Sequence, residues 1–178
     1  MVYGSKAIAN YFIDRAARAG QDLTPMKLQK LIYFAHGWSL AIYGRPLIDE
    51  QIEAWKFGPV ISSIYHEFKR FGSQPIKDPA TEIELNEENI VDFRIVVPKI
   101  RPDDTETTAL LDKIWDVYGG YSAVQLSNAT HLPGTPWEKV WDAGKAPKGT
   151  DIDQGLIKAF FVHLAEQSQP ATQAAGSG

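Results

Sequence analysis

Four histidines are the first side chains in this sequence that could do acid–base or metal chemistry: His36, His66, His131 and His163. No two stand four residues apart, the helical spacing that points two imidazoles at one zinc ion. There is no cysteine, which excludes thiol catalysis, Cys-ligated zinc and a disulfide framework. A histidine-centred hydrolase needs a nucleophile in a recognisable setting. The sequence has no G-x-S-x-G, no P-loop and no G-x-G-x-x-G. Gly119-Gly120 reads as a helix stop and not as a phosphate cradle. No catalytic residue, metal ligand or cofactor is therefore expected. The chemistry open to this chain is recognition.

The residues suited to recognition are aromatic and basic. Tyr33, Trp38, Tyr43, Trp55, Phe57, Tyr65, Trp137 and Trp141 form the aromatic set. Most should be core, where aromatic side chains dominate the energetics. Tyr and Trp are also the usual anchors of protein interfaces. Lys27, Gln29 and Lys30 open a helix with Tyr33 just beyond them, a basic-aromatic patch. Trp55, Lys56 and Phe57 lead into a Gly58-Pro59 turn.

The element that must position most of these residues runs from Thr24 to Tyr43. Thr24 is its N-cap, Pro25 sits at the first helical position and Gly44 closes it. Between them lie about five turns. Leu28, Leu31, Ile32, Ala35, Ser39 and Ile42 recur at helical spacing, and Phe34, Trp38 and Ala41 form a second stripe. A helix apolar on most sides belongs at the centre of a core. Its polar Lys27, Gln29 and Lys30 collect in the first turns, where it is expected to reach the surface.

An earlier helix, capped by Ser5, runs to Ala19 and stops at Gly20. Residues 52–57 read as extended, with Trp55 and Phe57 on one face. Pro59 then restarts a helix, with Val60, Ile61, Ile64, Tyr65 and Phe68 inward. Residues 73–104 hold four prolines and the acids Glu82, Glu84, Glu87 and Glu88. Ile83 and Leu85 alternate with acids as on an edge strand, and residues 93–97 should pair with them or with residues 52–57. Helices resume over 105–118, from Ser122 to Thr130, from Thr135-Pro136 to Asp142, and from Asp151 or Asp153 through Glu166. The last helix turns Leu156, Ile157, Phe160, Phe161 and Leu164 inward. Residues 167–178 are small and polar and should be disordered, with a final Gly-Ser-Gly resembling a fusion scar. The fold class is mainly α: a single compact helical domain, residues 1–166, around a central hydrophobic helix at 24–43, with a small β element.

At 178 residues the chain is most simply one domain. No apolar run of about 18 residues could span a membrane and no signal peptide is evident, so a cytoplasmic protein is expected. The net charge of −4 divides into +3 for residues 1–72 and −7 for residues 73–178. An acidic balance argues against non-specific nucleic-acid binding, whose affinity comes from neutralised phosphates. The acidic half can attract a basic partner or simply keep the surface solvated.

Two stretches carry a resemblance. The first is KLQKLIYFAHGWSLAIYGRPLIDEQIEAWKFGPVISSIYHEF, from Lys27 to Phe68. The second is LSNATHLPGTPW, from Leu126 to Trp137. In this order they resemble the Panacea domain, a family that includes phage-associated GepA-like proteins and SocA-like antitoxins. The resemblance covers about Lys27 to Leu164. It implies an antitoxin that neutralises a cognate toxin protein by direct contact, without catalysis. Its SocA-like branch further implies an adaptor that delivers the toxin to a cytosolic AAA+ protease. The candidate partner-binding residues are Lys27, Gln29, Lys30, Tyr33, Trp55, Lys56, Phe57, His131 and Trp137, polar or aromatic positions at helix starts and turns. The rival is a DNA-binding regulator using residues 105–142, which resemble a helix-turn-helix. The third helix of that segment lacks the Arg, Lys, Asn and Gln cluster that reads bases. A phage-associated enzyme is a third, weaker alternative.

Overall fold

A computed structural model describes residues 1–86 and 92–168. Among them, helices α1 (Ser5–Arg18) and α2 (Pro25–Tyr43) are followed by strands β1 (Glu53–Trp55) and β2 (Gly58–Val60) and helix α3 (Ser62–Phe68). Strands β3 (Glu82–Leu85) and β4 (Phe93–Val96) come next. Then follow α4 (Thr105–Tyr118), α5 (Ala123–Thr130), α6 (Pro136–Trp141), β5 (Thr150–Asp151) and α7 (Gln154–Ser168). The fold is mainly α with small antiparallel β elements.

Helix α2 forms for the local reasons its sequence offers. The Thr24 hydroxyl accepts a bond from the Lys27 amide at 3.4 Å, and Gly44 closes the helix in the left-handed region at φ 68°. Leu28, Leu31, Ile32 and Ala35 are buried on one stripe, Tyr33, Phe34 and Leu40 on others. The helix touches α1, α3, α4, α5, α7 and β2. Met26 in its first turn and Ile42 in its last are the exposed apolar residues of the helix. Helix α7 packs directly against it where Gly37 omits a side chain. A Cβ there would stand 2.1 Å from the Phe161 ring.

Several sequence expectations are corrected. Residues 58–60 are strand β2 and not the start of a helix. Lys56 and Phe57 make a two-residue turn, and Gly58 at φ 107° sends the chain back antiparallel to β1. The helix begins at Ser62. Strand β1 takes β5 on its other edge, with Glu53 opposite Asp151. It does not take residues 93–97, because β4 pairs with β3, Ile83 opposite Ile95 and Leu85 opposite Phe93. Ser5 is the first helical residue and not the cap. Its amide and hydroxyl both donate to Glu50, at 2.8 and 2.9 Å. Asp104 caps α4 by accepting from the Thr107 amide. Leu156 and Tyr65, read as inward, are exposed, because Ile157 and Phe161 fill the buried side of α7, and Ile64 and Phe68 that of α3. Helix α7 runs to Ser168, so Gln167 and Ser168 are helical. The disorder expected for the tail otherwise falls on 169–178, outside the described residues, as do Glu87 and Glu88.

Candidate recognition groove

The polar residues at the start of α2 are buried, which overturns the expectation that this end of the helix is exposed. Each ties down a backbone group of another element. Lys27 donates to the Gly119 carbonyl at 2.5 Å, at the carboxyl end of α4 where a cation is favoured. Gln29 clamps Ile61 with two bonds, accepting from its amide at 2.9 Å and donating to its carbonyl at 3.0 Å. Lys30 donates to the Pro59 carbonyl at 3.1 Å and is 1% exposed. Burial lowers the Lys30 ammonium from its ordinary range to about 7. Tyr33 is buried as well, its ring 5.8 Å from that of Phe161.

The second motif grips the turn between β1 and β2. The Ser127 hydroxyl donates to the Phe57 carbonyl at 2.9 Å, and the Trp137 indole donates to the Trp55 carbonyl at 2.7 Å. The His131 ring stacks on Trp137 with centroids 3.8 Å apart, and Trp137 stacks in turn near Trp141. Burial and the neighbouring Lys30 charge hold the His131 imidazolium below its usual range, against the Phe57 carbonyl, which accepts from the ring and favours its protonated form. Gly58 is required between these parts. A Cβ there would stand 2.7 Å from both the Lys30 ammonium and the Thr130 hydroxyl.

The structure thus gathers Gln29, Lys30, Trp55, Lys56, Phe57, His131 and Trp137 around one hairpin. Lys27 and Tyr33 are turned elsewhere, toward α4 and α7. On the open side of the hairpin lies a groove of about 580 Å³, lined by Gln29 and Lys30 below and by Trp55, Lys56 and Phe57 on one wall. Pro25, Met26, Val60, Tyr65, Lys69, Gly72, Trp141 and Lys148 complete it, and sequence reasoning missed them as a site. Tyr65 and Trp141 stood in the aromatic set, but nothing in their spacing joins them to Phe57. Among the described residues no three His, Cys, Asp or Glu side chains gather as metal ligands, and no helix is long and apolar enough to cross a membrane.

The third helix of the DNA-reading alternative, α6, is six residues long and buries Pro136 and Trp137. No solved structure matches the chain. Antitoxin SocA of Caulobacter vibrioides (strain NA1000 / CB15N) is 33% identical over 152 residues, covering 85% of this chain and 76% of the relative. The family described as "Antitoxin SocA-like, Panacea domain" matches residues 28–138, a span that holds the first motif from Leu28 onward and the whole second motif. With the two motifs folded onto one hairpin inside that span, the chain belongs to the SocA-like Panacea-domain family.

Proposed function

We propose that this protein is an antitoxin that neutralises a toxin protein by direct contact, without catalysis, in the cytoplasm. Its likeness to Antitoxin SocA supports the role. The observation that carries the contact mechanism is the hairpin. Lys30 of the first motif and Ser127 and Trp137 of the second donate to its backbone carbonyls, yet Lys56 and Phe57 at its tip stay exposed. A turn braced from below with an apolar tip left in water is built to meet another molecule. In this reading Trp55, Lys56 and Phe57 touch the toxin, while Gln29, Lys30, His131 and Trp137 position them. Lys27 and Tyr33 serve the fold.

The test is co-expression with the toxic reading frame beside the gene. Relief of growth arrest together with co-purification is the expected result. A neighbour that still arrests growth, or that never co-purifies, overturns the reading. Toxin abundance with and without the host AAA+ protease separates an adaptor from simple occlusion. Specific promoter binding tighter than about 10⁻⁸ M would favour the DNA-binding regulator instead.

A further inference from the structure

The groove beside the hairpin is apolar and one-signed. Its lining includes four lysines, Lys30, Lys56, Lys69 and Lys148, and no Asp or Glu. This stands out in a chain whose net charge is −4. All six arginines of the sequence are paired with carboxylates. Among the described residues Lys6 alone of the lysines has an ion-pair partner, so the four groove lysines are unpaired like the other lysines, and Lys56, Lys69 and Lys148 are exposed. Two are held over aromatic faces: Lys148 lies 4.9 Å from the Trp55 ring centre and Lys56 lies 5.4 Å from that of Phe57. Phe57 is 58% exposed and Tyr65 41% exposed. Apolar walls this open are costly in water unless something covers them.

We infer that this groove binds a short acidic segment of a partner protein, whose apolar side chain seats between Phe57, Tyr65 and Trp141 while its carboxylates face Lys56, Lys69 and Lys148. Charge complementarity selects the acid, and the aromatic and aliphatic walls select the apolar anchor. A phosphate chain is the less suitable anion. A protein of net charge −4 is poorly suited to a long polyanion, whereas a short peptide segment needs only the lysines of the groove. The inference rests on the antitoxin reading for the partner's identity, the segment then belonging to the toxin.

Two readouts keep the groove and the antitoxin reading apart. The first needs no toxin. Fluorescence anisotropy is measured with fluorescein-labelled Glu-Leu-Asp-Phe-Glu and its neutral counterpart Gln-Leu-Asn-Phe-Gln. The acidic peptide should bind about tenfold tighter than the neutral one, and tighter at low salt. The triple variant Lys56→Glu/Lys69→Glu/Lys148→Glu should weaken it about tenfold or more. The charge-matched control Lys77→Glu/Lys99→Glu/Lys113→Glu, on exposed residues outside the groove, should stay within about twofold. Thermal midpoints confirm that both variants fold. Equal binding of the two peptides, an unaffected groove variant, or no saturation up to about 1 mM overturns the inference. So does displacement of the peptide by an octathymidine at lower concentration than by unlabelled acidic peptide. The second readout is affinity for the co-purified toxin. A groove variant that holds toxin as tightly as wild type sinks the inference and leaves the antitoxin reading standing. A wild type that binds no toxin sinks the antitoxin reading, and the peptides alone then decide the groove.

Discussion

Lys30 carries its amino group where water does not reach it, with the Pro59 carbonyl as its hydrogen-bond partner. Desolvation lowers its folded pKa from 10.5 to about 7, while the unfolded chain keeps the ordinary value. Between those values the unfolded state binds more protons, so stability rises with pH across this window and is lost as pH falls toward 7. At pH 6 the folded state bears the whole cost of a buried charge, on the order of several kcal/mol. Lys30→Met removes that cost. It also strands the Pro59 carbonyl, worth roughly 1–3 kcal/mol. The variant should therefore melt higher than wild type at pH 6, and its advantage should shrink toward zero by pH 9. A difference between the two midpoints that does not change with pH would show that the amine is hydrated. The sequence shows Lys27, Gln29 and Lys30 as a polar cluster but not their burial. Their partners are backbone groups of Gly119, Pro59 and Ile61, which side-chain patterning does not encode.

At the scale of elements, the α2–α7 contact turns on Gly37. Ala is a better helix former than Gly by about 1 kcal/mol, so in open space Gly37→Ala would stabilise α2. Here the added Cβ meets three ring atoms of Phe161 at 2.1 to 2.5 Å, and the ring is enclosed by Tyr33, Phe34, Trp38 and Phe160. Overpacking of this kind costs roughly 1–3 kcal/mol, which outweighs the propensity gain. Gly37→Ala should lower the thermal midpoint, Gly37→Leu should lower it further, and Phe161→Leu should relieve part of the Gly37→Ala penalty in a double-mutant cycle. An increase in midpoint for Gly37→Ala would mean that α7 does not press on α2. The stretches of helix were mostly legible, because caps and periodicity are local: Thr24, Ser122 and Thr135 each accept the amide bond expected of a cap. The strand at 58–60 was not. A proline after glycine suits the first turn of a helix and the return arm of a hairpin equally. The positive φ of Gly58 and the Lys30 amino group packed against it decide between them.

Over the whole molecule, helical content was readable while the groove was not, since Met26, Phe57, Tyr65, Trp141 and Lys148 come from five separate parts of the chain. The acidic second half was readable too, and part of it stands apart from the core. Strands β3 and β4 form a two-stranded ribbon whose paired residues Ile83 and Ile95 are 66% and 68% exposed, with Leu85 and Phe93 open beside them. The side chains of these four residues stand largely in water, so they contribute little burial to the folded state. A two-stranded ribbon is marginal by itself, and the ion pair from Arg94 to Glu84 lies on its solvent side, where such pairs are worth little. The core residues nearest in sequence, Ile76 and Ala80, precede the ribbon, and Ala80 is held by Asn10 independently of it. Glu82 and Val96 are directly paired, so a two-residue Asn-Gly turn can join Thr81 to Val97 in place of residues 82–96. The shortened chain should keep its midpoint within about 2–4 °C of wild type, the equivalent of roughly 1 kcal/mol at this size. It should also be more soluble on heating, because a flat apolar edge is a template for pairing between chains. Differential scanning calorimetry with light scattering reads both outcomes. A midpoint lower by about 10 °C or more would show that the ribbon is packed into the cooperative core and that its apolar residues stabilise the fold.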